Sequence, residues 1–172
     1  MLTQPTIEAL KQLKLHGMLK AFQEQLENPD LQTLDFDERL GLLVERERLD
    51  QENRLLTRRL QRAKLGQSAA FEDIDLRTSR GLEKSLVAAL ASCDWIRTKH
   101  NVVITGPTGV GKSYLACALG QKACREGLSV SYQRTGRLFY ELGLACGEGR
   151  YLRLLKALGQ ADLMILDDWG IA

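Results

Sequence analysis

Residues 102–113 read Val-Val-Ile-Thr-Gly-Pro-Thr-Gly-Val-Gly-Lys-Ser, and this stretch decides the fold class. It contains the pattern G-x-x-x-x-G-K-[ST], which is typical of loops that bind phosphate groups. Glycines allow successive backbone N–H groups to point inward at an anion, and a helix that starts there adds its positive end. A β-branched run precedes the pattern and a helical pattern follows it. The stretch therefore predicts a strand–loop–helix unit that binds a nucleoside triphosphate.

The residue types of the loop predict separate roles. We expect Lys112 to reach the terminal phosphates and the hydroxyl of Ser113 to hold Mg²⁺. The alternative is a glycine-rich turn with an exposed lysine, and the flanking strand and helix argue against it. The candidate ATP-binding residues are Gly106, Pro107, Thr108, Gly109, Val110, Gly111, Lys112, Ser113 and Tyr114.

A second motif lies downstream, where an apolar run, Leu-Met-Ile-Leu, is followed by Asp167 and Asp168. Open α/β sheets bind ligands at the carboxyl ends of their strands, so an acid at this place suits a metal site. Asp167 is the candidate Mg²⁺ residue together with Ser113. Asp168 is the candidate for polarising the attacking water, and we regard Lys112 and Asp168 as the candidate catalytic residues. By itself the run is also typical of a strand that enters a turn.

The composition is that of an ordinary globular protein of 172 residues, with 44% apolar and 27% charged residues. The apolar runs are far shorter than the roughly 20 residues that span a bilayer, and no secretion signal opens the chain. Four cysteines form no C-x-x-C pair and have no metal-like spacing with the histidines. These features predict a cytoplasmic protein with reduced thiols and no membrane association.

The pattern of the chain changes near residue 70. Residues 1–70 have helical periodicity, with one run ending at Asn28-Pro29 and a second from about residue 35 to 65. Residues 71–172 begin with a linker-like stretch, 71–75 and 78–81, and a helix through about residue 91. Strands then alternate with helices, which predicts an α/β fold with a parallel sheet. The predicted elements are strand 101–105, helix 111–126, strand 128–133, helix 137–145, helix 150–158 and strand 162–167.

The second helical run ends in a basic segment. Asp50 lies four residues before Arg54 and can pair with it, whereas the bases that follow have no acidic neighbour at helical spacing. One interpretation is a stripe that contacts DNA phosphates without sequence preference. The other is a solvated helix end whose arginines stabilise the helix dipole. The candidate DNA-binding residues are Arg54, Arg58, Arg59, Arg62 and Lys64.

The order of these parts resembles the IstB-type transposition helper ATPases of the AAA+ class, which are related to the DnaC helicase loader. The similarity covers nearly the whole chain. It rests on Leu13-Lys14-Leu15-His16-Gly17-Met18, on the Glu/Arg-rich helix, on the lead-in at 71–75, on the phosphate loop and on Asp167-Asp168-Trp169-Gly170. The resemblance implies a P-loop ATPase domain at 71–172 after a helical DNA-binding or partner-binding region at 1–70. It also implies a transposase encoded alongside and homo-oligomers of the full-length protein on DNA.

Members of that family continue beyond the position of Ala172, through a strand that lies between the phosphate-loop strand and the metal-carboxylate strand. We therefore expect an incomplete sheet at the C-terminus and slow ATP turnover, since a neighbour's arginine also lies in the missing part. Most AAA+ proteins carry Glu where this chain has Asp168. Two alternatives stay open: a DnaC-like helicase loader, and an inactive remnant that binds only DNA or partner subunits.

Overall fold

The computed structural model describes residues 3–74 and 83–170; of the predicted linker, residues 75 and 78–81 lie outside this part. The chain divides by its contacts into two compact units, Met1–Thr57 and Arg58–Ala172. The boundary near residue 70, drawn from composition, stays a prediction. In sequence order the elements are α1 (Thr3–Gln12), α2 (His16–Glu27), α3 (Pro29–Gln32), α4 (Phe36–Ala63), a 3₁₀ turn (Phe71–Asp73), α5 (Lys84–Ala91), α6 (Asp94–Arg97), α7 (Lys112–Arg125), β1 (Val130–Arg134), α8 (Thr135–Gly147), α9 (Tyr151–Leu158) and β2 (Leu163–Asp167).

The first unit is helical, and helices α2 and α4 meet in it at Gly17. A Cβ atom at this position would lie 2.6 Å from the carbonyl oxygen of Arg46 and 2.7 Å from Cα of Glu47. Only glycine allows the two backbones to come this close. The side chain of Glu47 closes the same contact, because its Oε2 accepts hydrogen bonds from the N–H groups of Gly17, at 2.7 Å, and Met18, at 3.1 Å.

The first helical run is interrupted where the sequence gives no signal. The periodicity predicts a single helical run that ends at Asn28-Pro29, but α1 ends at Gln12 and α2 begins at His16. Between them, Lys14 has a left-handed backbone with φ of 58°. The N–H of Leu15 donates to the carbonyl of Leu10 at 2.9 Å, and that of Lys14 to Lys11 at 3.0 Å. These two bonds form a Schellman motif, a helix ending that usually has glycine where this chain has Lys14.

The second unit contains a parallel pair of strands covered by α7. The register joins Val130 to Leu163 and Arg134 to Asp167, and α8 and α9 form the connection between the strands. Gly120 of α7 packs on this pair: a Cβ there would lie 2.8 Å from the side chain of Ile165 and 3.5 Å from that of Val130. The described residues confirm an α/β fold with a parallel, incomplete sheet after a helical N-terminal region.

One predicted strand is not formed. Residues 101–107 have neither helix nor strand, and the side chain of Val103 is 83% exposed. A strand needs a neighbour that accepts and donates its backbone hydrogen bonds. In the described part of the chain β1 and β2 pair with each other, and 101–105 has no ladder partner. The β-branched composition of the segment is therefore insufficient to make it a strand.

Candidate nucleotide and metal site

The phosphate-loop sequence forms a tight turn before α7. Thr108 and Gly109 lie in the turn, and Gly109 and Gly111 have φ angles of 86° and 92°. Space does not dictate glycine at 109, because a Cβ atom there would have no neighbour within 4 Å. The left-handed backbone dictates it instead, since side chains with a Cβ rarely adopt this conformation. The turn therefore uses backbone conformations that glycine allows and other residues rarely adopt.

Lys112 is the first residue of α7, and its side chain folds back over the loop. Its Nζ donates to the carbonyl oxygens of Gly106, at 2.9 Å, and Pro107, at 2.7 Å. The ammonium group therefore lies over the loop, at the N-terminal end of the helix, where anions are favoured. Of the remaining candidate ATP-binding residues, Val110 is exposed and Tyr114 is half-buried in the first turn of α7.

Ser113 and Asp167 come together although they belong to different motifs. The hydroxyl of Ser113 donates to Oδ1 of Asp167 at 3.0 Å. Ser113 is the second residue of α7, and Asp167 is the last residue of β2, so helix packing on the strand pair sets this distance. The two residues that the sequence assigns to Mg²⁺ are thus neighbours at the carboxyl end of the sheet.

Asp167 has two further partners that sequence reasoning missed. The phenol of Tyr132 donates to Oδ2 at 2.5 Å, and the hydroxyl of Thr135 donates to the backbone carbonyl of Asp167 at 2.7 Å. Tyr132 precedes by two residues Arg134, the register partner of Asp167, so Tyr132 and Asp167 share one face of the sheet. The pairing of Tyr132 with Asp167 depends on the register of β1 and β2, and this register cannot be read from the sequence.

These contacts keep the Asp167 carboxyl ionised. Burial raises its pKa, but the hydrogen bonds from Tyr132, Ser113 and the N–H of Asp168, together with the charge of Arg134, outweigh burial, and the pKa lies below its ordinary value. Burial and the hydrogen bond to Asp167 raise the pKa of Tyr132 to about 12, so the phenol keeps its proton near neutral pH. A charged acceptor faces a neutral donor, which gives a strong hydrogen bond.

Asp168 follows with a different environment. Its N–H donates to Oδ1 of Asp167 at 3.0 Å, and its backbone is left-handed with φ of 58°. The residue is exposed and lines an open cavity of about 400 Å³ together with Arg134, Gly136 and Arg137. The structure thus brings the backbone N–H of Asp168 to the carboxylate of Asp167 and places the residue at the edge of a cavity that two arginines also line.

The donor set fits a magnesium ion. Mg²⁺ prefers oxygen ligands, and it is usually bound by one or two carboxylates, with phosphates and water completing the shell. Asp167 supplies an ionised carboxylate oxygen and Ser113 a hydroxyl oxygen at 3.0 Å from it. In residues 3–74 and 83–170 no three His, Cys, Asp or Glu side chains cluster as a metal site. A cation bound by Asp167 and Ser113 would have phosphate or water oxygens as its other ligands.

The candidate DNA-binding residues lie on α4 and beyond its end, and they differ in their contacts. Arg54 is ion-paired with Asp50 at 2.9 Å, as the spacing predicts, and with Glu47 at 3.1 Å. Arg59 is half-buried and lies near Gly127, after the last turn of α7. The other three are exposed and have no ion pair within the described ranges: Arg58, Arg62 and Lys64.

Comparison with known sequences matches residues 8–172 to the family described as IstB-like ATP binding protein. The chain belongs to this family. A Pseudomonas fluorescens relative from insertion sequence IS1162, named for ATP binding, is 50% identical over 173 aligned residues, which is 100% of this chain and 75% of the relative. A Sinorhizobium fredii insertion-sequence protein with a similar name is 51% identical over 99% of this chain and 70% of its own length.

A Mycobacterium tuberculosis insertion-sequence protein, also named for ATP binding, is 34% identical over 95% of this chain and 65% of its own length. The IstB-like resemblance inferred from the motifs is thus confirmed. None of the helices in the described ranges has the length and apolar character that crossing a membrane requires.

Proposed function

We propose that this IstB-like chain binds ATP with Mg²⁺ and assists the transposition of an insertion sequence. The hydrogen bond between Ser113 and Asp167, 3.0 Å long, carries the proposal, because it joins the phosphate-loop motif to the carboxylate motif. Relatives that share about half of its residues are named for ATP binding in insertion sequences, which supports the same role here.

In this proposal the loop binds the triphosphate through its backbone N–H groups and through Lys112. The ammonium group of Lys112 would exchange the carbonyls of Gly106 and Pro107 for phosphate oxygens, which are stronger acceptors because they are charged. Ser113 and Asp167 would hold Mg²⁺. When bound, the cation would link the phosphates to the protein and neutralise negative charge during phosphoryl transfer.

We assign Asp168 to the polarisation of the attacking water. Its side chain is exposed and adjacent to Asp167 in sequence, as this role requires. Asp is one methylene shorter than the Glu found at this position in most AAA+ proteins, so we expect slow hydrolysis.

DNA, a transposase and further copies of the chain are the proposed partners. The exposed bases at the end of α4 support phosphate contacts with little sequence preference. The insertion-sequence names of the relatives support a transposase as the protein partner. Co-purification with a replicative helicase, and not with the transposase of the same element, would instead favour the helicase-loader alternative.

Binding of a fluorescent ATP analogue tests the nucleotide site. We expect Lys112→Ala to weaken binding by about tenfold or more, since it removes a charge-assisted contact. Ser113→Ala should weaken binding only when Mg²⁺ is present. Lys122→Ala is the matched control on the same helix, because Lys122 is paired with Glu126 outside the loop. Equal affinity of the wild type and Lys112→Ala would contradict the assignment.

A further inference from the structure

Each carboxylate oxygen of Asp167 has its own protein partner. Oδ1 accepts from Ser113 at 3.0 Å and from the N–H of Asp168 at 3.0 Å, whereas Oδ2 accepts from Tyr132 at 2.5 Å. The torsion that rotates a carboxylate is broad, so the plane of an unrestrained carboxylate turns freely about its Cβ–Cγ bond. The hydrogen bond from Tyr132 to Oδ2 limits this rotation and keeps Oδ1 toward Ser113.

The phenol of Tyr132 is itself fixed by its surroundings. Tyr132 is 9% exposed. A Cβ atom on Gly66 would lie 2.5 Å from the phenol oxygen and 2.6 Å from the ring carbon that bears it. Gly66 is thus the surface against which the phenol rests, and a larger residue there would displace it. Gly66, in the segment after α4, therefore contacts the same phenol that donates a hydrogen bond to Asp167.

We propose that Tyr132 is a positioning residue for the metal site, because its phenol holds the Asp167 carboxylate with Oδ1 facing Ser113. Gly66 leaves the space that the phenol occupies and so keeps the phenol in place. This inference rests on the proposed ATP and Mg²⁺ site. Residues that hydrogen-bond a metal ligand without touching the metal commonly change metal affinity 10–100-fold when removed. Tyr132 has this relation to Asp167.

The test is the Mg²⁺ dependence of binding of a fluorescent ATP analogue to the whole chain. Tyr132→Phe keeps the ring against Gly66 and removes only the hydroxyl. We expect unchanged analogue affinity in EDTA, because the loop and Lys112 are intact, and an increase of about tenfold or more in the Mg²⁺ concentration at half-maximal enhancement. A residue that only packed would leave this midpoint unchanged.

Gly66→Ala reaches the same phenol from the other side. The added methyl group would push the phenol oxygen away from Oδ2, so this variant should also shift the Mg²⁺ midpoint. Two matched controls should leave it at the wild-type value. Tyr140→Phe changes a phenol that is 67% exposed, and Gly143→Ala adds a methyl group where no atom lies within 4 Å.

The outcomes separate the inference from the proposal beneath it. A shifted midpoint in both variants, with wild-type values in both controls, supports the positioning role. A Mg²⁺-dependent wild type with unchanged Tyr132→Phe overturns it and leaves the proposed function standing. A wild type that binds the analogue without any response to Mg²⁺ overturns the metal site and the positioning role together.

Discussion

Glu47 shows how one buried carboxylate organises the helices of the first unit. The residue is 6% exposed, and both of its oxygens are used. Oε2 accepts from the backbone N–H groups of Gly17 and Met18, and Oε1 accepts from Gln51 at 2.9 Å and Arg54 at 3.1 Å. An anion is favoured at the first turn of α2, whose N–H groups have no partner within the helix.

The pKa of Glu47 gives the sign of its effect on stability. Burial raises the pKa, but hydrogen bonds from Gln51, Met18 and Gly17 outweigh burial, so the pKa lies below the ordinary value of 4.5. A carboxyl whose pKa falls on folding stabilises the folded state at pH above its unfolded pKa. This stabilisation is lost as the pH falls through the lower, folded pKa.

We expect Glu47→Gln to lower the free energy of unfolding by about 2 kcal/mol at pH 7, since it replaces a charged acceptor by a neutral amide. The difference from the wild type should shrink as the pH falls below about 4.5, because the unfolded chain then binds a proton at Glu47 that the folded chain does not yet bind. Urea denaturation followed by circular dichroism at pH 7 and pH 3.5 measures both values.

Glu45→Gln is the control, because Glu45 lies on the same helix but is exposed in its ion pair with Arg48. Exposed pairs contribute little, so a change of less than about 1 kcal/mol is expected. Equal losses for the two variants at pH 7 would show that burial of Glu47 is unimportant.

At the scale of elements, several helices end in a left-handed residue, and lysine often occupies that place. Lys14, Lys64 and Lys99 have φ angles of 58°, 50° and 60°, where glycine is the usual choice. Lys99 is followed by the same bond pattern as Lys14, with the N–H of His100 donating to Trp95 at 2.8 Å. A lysine near the helix C-terminus gains from the dipole but strains its backbone.

We expect Lys14→Gly to stabilise the protein by about 0.5–1 kcal/mol, because glycine adopts the left-handed conformation without strain. The matched change Lys20→Gly, in the interior of α2, should destabilise it by about 1 kcal/mol. The midpoint of urea denaturation measures both effects. Destabilisation by both substitutions to a similar extent would mean that Lys14 is not strained.

Particular elements show how much of the fold the sequence could predict. Helix α7, the parallel strands and their connection follow from periodicity and from Gly127, so their predicted bounds differ from the structure by at most two residues. The break at Lys14 was missed because lysine is not a signal for a left-handed turn. Segment 101–105 was wrong as a strand because pairing depends on a neighbour rather than on β-branched side chains.

Some residues of the candidate site could also be predicted from the sequence, and others could not. Lys112, Ser113 and Asp167 could be proposed from the sequence because phosphate and metal binding require these residue types at this spacing. Tyr132, Thr135 and Gly66 act through the three-dimensional arrangement of β1, α8 and the segment after α4. No spacing in the sequence relates them to Asp167, so only a structure reveals them.

At the scale of the whole molecule, positive and negative charges nearly cancel, but they are unevenly distributed along the chain. The formal net charge is +2, yet Arg58, Arg62 and Lys64 are exposed at one end of α4 and have no ion pair in the part of the chain that the structure describes. Arg54, nearer the middle of the helix, is neutralised by Glu47 and Asp50. The proposed DNA contacts therefore include fewer residues than the sequence predicts, because Arg54 is already ion-paired.

We expect the triple variant Arg58→Gln, Arg62→Gln, Lys64→Gln to weaken binding to double-stranded DNA of any sequence. Each lost phosphate contact should reduce the dependence of log affinity on log salt by about one unit. Fluorescence anisotropy with labelled DNA over a range of salt concentrations gives both quantities. Glutamine keeps the helix propensity of the segment, so the fold should be retained.

The control must remove the same charge from elsewhere. Changing Arg137, Arg150 and Arg153 to Gln also takes the formal net charge from +2 to −1, but it acts on α8, α9 and the turn between them. If DNA binding responds only to net charge, both triple variants will lose affinity and salt dependence alike. If the end of α4 contacts phosphates, only the first variant will lose them. Wild-type binding by the α4 variant would make these bases a solvated helix end, leaving the dipole as their physical role.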